Sequence, residues 1–127
     1  MHLQPFLRVD DTPFTLSPQA LARHRGSPGR MARNNVDLTE WDYGDVVYRF
    51  QDSGRLEEVT CQVRVLHLDS VAIPFAALKG FVSAHDDEAF TRAGFVVSPR
   101  FGLAFVPDCP HWVTALASHC IGAWRAL

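Results

Sequence analysis

The chain has 127 residues, 12 Lys and Arg against 14 Asp and Glu, a formal net charge of −2, and 47% hydrophobic against 20% charged residues. That length makes one ordinary domain, and that apolar content offsets chain entropy, which excludes intrinsic disorder. No apolar run approaches the roughly 20 residues of a membrane span, and the mild charge disfavours general nucleic-acid binding. The cysteines, Cys61, Cys109 and Cys120, are too few and odd in number for a disulfide scaffold. The opening residues MHLQPFLRVDDTPF lack a charged stretch followed by an apolar one, so a cytoplasmic protein is expected.

The first clear element lies between Leu16 and Gly26. Ser17 can cap a helix, Pro18 fits its first position, and Arg23, His24 and Arg25 suit the negative end of the helix dipole. Gly26 offers a left-handed stop, and Pro28 blocks continuation. Strands follow. Trp41 and Tyr43 are two apart, with Gly44-Asp45 as a turn; Val46, Tyr48 and Phe50 share one face of the next run. After a turn at Gln51-Asp52-Ser53-Gly54, Val59, Cys61, Val63 and Val65 alternate with Glu58, Thr60, Gln62 and Arg64. Period two with one wet face predicts an antiparallel strand, and the two runs form a hairpin.

The second half begins after Pro74. Ser83-Ala84-His85-Asp86 has the spacing of a capping box, Asp86, Asp87 and Glu88 suit a first turn, and Gly94 a stop, which predicts a helix between them. Phe95-Val96-Val97 and Phe101 to Val106 read as strands separated by Ser98-Pro99, and Pro107 to Pro110 as a turn. Trp112 to Ala117 follows as a strand, because the turn before it matches that of the first hairpin. Trp112, Val113, Leu116, Ala117, Cys120, Ile121 and Trp124 also fit a helical stripe, and the last residues fit either element. The expected fold is α+β, an antiparallel sheet with helices packed on one face. It is one domain over 1–127, and its pattern admits a division into two helix-plus-hairpin halves, 14–73 and 74–127.

No residue cluster announces an enzyme, and no cofactor is expected. Cys109, His111, His119 and Cys120 carry zinc-ligand chemistry at poor spacing, so no metal site is expected from them. Cys109 is the most exposed candidate for thiol catalysis but has no neighbouring motif. Residues 1–35 hold five arginines against Asp10 and Asp11, whereas residues 36–127 hold seven basic and twelve acidic residues. Asp37, Glu40, Asp42 and Asp45 surround Trp41 and Tyr43. Aromatic anchors and clustered carboxylates together suit a basic protein partner; a strand with its aromatics in the core is the plainer alternative.

Phe14-Thr15-Leu16-Ser17, the Gly26-Ser27-Pro28 stop, the hairpin from Tyr48 to Leu56 and Phe101 to Phe105 resemble small bacterial immunity proteins of interbacterial toxin systems. The layout is also similar to the helix-plus-sheet repeat of the beta-lactamase inhibitor protein. The resemblance covers residues 14–117 and implies a non-catalytic inhibitor that covers a toxin's active site. Asp37, Glu40, Trp41, Asp42, Tyr43 and Asp45 are the expected partner-binding residues, and a basic nuclease is one toxin they would suit. A small-ligand or regulatory domain with a pocket between helix and sheet is the alternative.

Overall fold

A computed structural model describes all residues, Met1–Leu127. Strands β1 (His2–Gln4), β2 (Arg8–Val9) and β3 (Thr12–Pro13) precede helix α1 (Pro18–Arg25). Then come β4 (Arg30–Arg33), β5 (Thr39–Asp42), β6 (Val46–Phe50), β7 (Leu56–Gln62), β8 (Val65–Leu68) and β9 (Val71–Pro74). Helix α2 (Phe75–His85) is followed by β10 (Phe90–Arg92), β11 (Phe95–Ser98), β12 (Leu103–Phe105) and β13 (Trp112–Leu116). A 3₁₀ turn (Ser118–Cys120) and a short helix α3 (Ile121–Arg125) close the chain. The fold is therefore mixed α and β, mostly sheet. No helix is long and apolar enough to cross a membrane.

The strands form an eight-stranded antiparallel sheet, β10-β11-β12-β13-β7-β6-β5-β4, and a five-stranded sheet, β3-β2-β1-β8-β9. The smaller sheet contains one parallel pair, β1 with β8. In the larger sheet, α1 precedes the meander β4 to β7 and α2 precedes the meander β10 to β13. The two meanders join through their last strands, from Gln62 opposite Trp112 to Glu58 opposite Leu116.

Local chemistry explains most of these elements. The Ser17 hydroxyl accepts the Ala20 N–H at 3.1 Å, Pro18 opens α1, and Gly26 ends it at φ 75°. Val46, Tyr48 and Phe50 are buried on one face of β6, as their spacing predicts. Residues 112–116 are a strand, and the ambiguous end turns helical only after Ala117.

Two expectations are corrected. The second helix runs over 75–85, not from Ser83 towards Gly94. Phe75, Leu78 and Val82 supply a buried stripe at helical spacing, so Ser83 to His85 form the helix's end rather than its cap. Ala93 (φ 51°) and Gly94 (φ 84°) instead make the two-residue hairpin turn between β10 and β11. The alternating run also stops short of Val65. That residue opens β8 in the other sheet and is exposed, so the period does not carry through Arg64. Nor is the opposite face fully wet, since Thr60 is buried.

One cluster of 20 buried residues links both sheets with Leu21 of α1 and with Phe75, Leu78 and Val82 of α2. Alternation along β11 to β13 places Val97, Ala104 and Leu116 on the other side, where they meet Ala117 and Cys120. Ile121 and Trp124 of the C-terminal segment pack there, covering the second face of the sheet near β7.

Candidate functional site

The acidic–aromatic segment is divided by the pleat of β5. Trp41 packs against the main core and meets Phe50 edge to face, with ring centroids 5.8 Å apart. Tyr43 is held by its hydroxyl, which donates to the Gly26 carbonyl at 2.9 Å, and by the Arg25 guanidinium 4.7 Å from its ring centroid. Burial raises the Tyr43 phenol above its ordinary value, with Arg25 opposing the shift. Glu40 faces the other way and pairs with Arg49 at 2.6 Å. Asp42 is half-buried, and its carboxylate accepts the Gly44 N–H at 2.8 Å, capping the turn that carries the exposed Asp45. Asp37 stands exposed at the far end of β5 with φ 64°, 3.5 Å from Arg33.

The charge division along the chain is thus partly neutralised by folding. Arg33 reaches Asp52 at 2.5 Å and Asp37 at 3.5 Å. These contacts are exposed and contribute little stability. Asp37 therefore shares Arg33 with Asp52, Asp42 caps its turn, Glu40 is committed to Arg49, and Asp45 is the exposed carboxylate of the segment that makes no ion pair.

A second group of polar side chains converges on the other face of β7. Arg49 pairs with Glu58, but Phe50 pairs with Leu56, so Glu57 is an extra residue in a β-bulge. A bulge re-aims side chains. Leu56 and Val59 both remain in the core cluster, while Glu57 and Glu58 both turn towards the C-terminal segment. The adjacent pair Glu57-Glu58 was the available sequence signal: strict alternation would have sent one carboxylate into the core.

Both carboxylates are engaged. Arg55 Nε donates to Glu57 Oε1 at 3.0 Å, and Cys120 Sγ donates to Glu57 Oε2 at 2.7 Å. His119 Nε2 contacts the same Oε2. Trp124 Nε1 donates to Glu58 Oε2 at 3.0 Å, and Arg49 lies 3.6 Å from Glu58 Oε1. Arg49 Nη1 also donates to the Thr60 hydroxyl at 2.5 Å, which shares a 2.8 Å hydrogen bond with Thr114. Burial raises the Glu58 carboxyl above its ordinary range, with Arg49 and Trp124 opposing the shift. A cavity of about 510 Å³ opens over this network, with Leu38, Phe95 and Trp124 among its apolar lining.

A smaller cavity of about 310 Å³ lies between the end of α1 and the sheet, where Asp10, Arg25, Asp45 and Cys61 meet.

The four zinc-type residues of the sequence are not brought together. Cys109 and His111 lie before β13, whereas His119 and Cys120 lie beyond its other end. The thiols differ in consequence. Cys109 is exposed, while Cys61 and Cys120 are buried. Burial pushes the Cys61 thiol up to about 12. Burial and the hydrogen bond to Glu57 push Cys120 upward as well. Thiol reactivity follows thiolate fraction and access. Disulfide reagent at neutral pH should therefore titrate one thiol rapidly in the native protein and three in denaturant. Loss of the rapid phase in Cys109→Ser checks the assignment.

Compared with known proteins, the chain matches no family model, no curated protein and no solved structure.

Proposed function

We propose that this protein is a non-catalytic inhibitor of the immunity type, which binds a cognate bacterial toxin and occludes its active site. The carrying observation is the free edge of the eight-stranded sheet. Strand β4 has a neighbour on one side only and exposes Met31 (54%). Asp37 flanks this edge at one end of β5, and Asp42 and Asp45 at the other. Exposed Asp37 and Asp45 stand at the two ends of this apolar contact, beside the Arg30 and Arg33 that β4 itself exposes, and such a mixed edge with flanking carboxylates suits a partner with a basic patch, a nuclease among them. Trp41 and Tyr43, half-buried and held by the core and by the end of α1, keep that edge in place. The resemblance of residues 14–117 to immunity proteins points the same way.

Co-expression with the product of an adjacent toxin-like reading frame tests the reading. Restored growth and a co-purifying complex are expected; neither protection nor a complex would sink it. Within the complex, the triple variant Asp37→Asn, Asp42→Asn, Asp45→Asn should associate about tenfold more slowly at low salt, with a flatter salt dependence. An unchanged rate would remove the electrostatic part of the mechanism. The 510 Å³ cavity favours the second reading, a small-ligand binding domain, since it lies within the usual range for small-molecule sites.

A further inference from the structure

The convergence at Glu57 has a chemistry of its own. Three different donor atoms, Glu57 Oε2, His119 Nε2 and Cys120 Sγ, lie within 4.8 Å of one another. They arrive from two separate elements. The bulge of β7 turns Glu57 out of the core, and the 3₁₀ turn after β13 sets His119 and Cys120 over it. The Ala117 N–H donates to the Glu57 carbonyl at 2.9 Å, which fixes the turn against the strand.

We propose that Glu57, His119 and Cys120 form a binding site for a divalent transition metal, zinc fitting best, with a fourth position open to the cavity beside α3. Thiolate, imidazole and carboxylate are a zinc donor set, whereas calcium and magnesium favour all-oxygen surroundings. A thiolate and a carboxylate balance the charge of a divalent ion. Zinc bonds of about 2.0–2.3 Å at the tetrahedral angle place ligand atoms roughly 3.5 Å apart. The three atoms reach that spacing by a small outward turn of side chains already directed at one point.

The surroundings fit the same role. Arg55 holds the other carboxylate oxygen, Oε1, at 3.0 Å, an outer contact that orients Oε2 towards the ion. Glu58 is occupied by Trp124 and faces Arg49, so it does not complete the set. The fourth ligand is then water or a small anion from the cavity, whose walls carry Arg49 and Arg55. In the metal-free protein the Cys120 thiol donates to Oε2. On metal binding the S–H bond breaks, its proton passes to solvent, and the sulfur–metal bond replaces it.

The test uses the whole chain, stripped with chelator and titrated with Co²⁺. Expected are one equivalent bound per chain, a near-ultraviolet thiolate-to-cobalt charge-transfer band, and loss of that band as Zn²⁺ displaces the cobalt. Cys120→Ser should abolish the band, Cys109→Ser should leave it unchanged, and His119→Gln should weaken Co²⁺ binding at least tenfold. His119 is about one-third exposed (31%), so its variant is expected to fold even if Cys120→Ser does not. No band at stoichiometric cobalt, a band that survives Cys120→Ser, a band lost with Cys109→Ser, or unchanged affinity in His119→Gln would each overturn the site. None of these readouts depends on toxin binding.

Discussion

Phe105→Ala is expected to destabilise the protein by about 4 kcal/mol, read as a fall in the urea midpoint at unchanged slope. Phe105 is the last residue of β12 and is 1% exposed. Its ring meets Phe75, the first residue of α2, edge to face with centroids 5.9 Å apart. Truncation removes the transfer free energy of the ring and leaves a cavity between α2 and the sheet. Phe75, Leu78 and Leu103 belong to the same buried cluster, whose close packing relaxes only partly into such a space. Small domains hold only about 5–15 kcal/mol in total, so the variant would be marginal at 37 °C. Phe105→Leu keeps most of the volume and should cost less than about 1.5 kcal/mol. A loss below about 1 kcal/mol in the alanine variant would mean that α2 does not rest on β12 as described.

Asp86→Ala is expected to cost about 3 kcal/mol for a different reason. Asp86 follows α2, is buried, and its carboxylate joins three segments. It accepts the Ser98 hydroxyl at 2.6 Å, the Arg100 N–H at 3.1 Å and the Glu88 N–H at 2.9 Å. Alanine removes the acceptor and leaves the hydroxyl of Ser98, fully buried at the end of β11, without this partner. Leaving such a group unpaired costs more than the net worth of the bond. Asp86→Asn keeps the volume and one acceptor oxygen, and its loss should be intermediate. Thermal unfolding of the two variants gives that order if the carboxylate is the junction. Equal, small losses would show that solvent replaces it.

Asp86 also shows where sequence reading and structure part. Ser83 to Glu88 carry the composition of a helix start, yet the chain uses them as a helix end and a buried junction. Local propensity cannot distinguish a carboxylate facing a helix dipole from one facing a hydroxyl twelve residues ahead. By contrast α1 was legible, because a serine cap, a following proline and a terminal glycine act within the segment itself. The hairpin from Val46 to Val59 was legible for the same reason: alternation and a Gly-containing turn are local.

The candidate surfaces were legible to different degrees. The acidic–aromatic segment is visible as composition, but only the neighbouring Arg33 and Arg49 show which carboxylates remain available. Glu57 was not singled out, and His119 with Cys120 was grouped instead with Cys109 and His111. Chain spacing misled there because β13 carries those pairs apart, while pairing of β13 with β7 brings one of them over a bulge some sixty residues earlier.

The opening composition, 127 residues of nearly balanced charge and 47% hydrophobic, determined only that the chain has enough apolar surface to bury a core. Period, caps and turn residues are properties of a few adjacent residues, and they specify local elements. Only the tertiary structure decided which strand lies beside which, which charges cancel, and that a carboxylate, an imidazole and a thiol share one point. Those outcomes depend on contacts between distant segments, where the free energy of pairing and burial outweighs local preference.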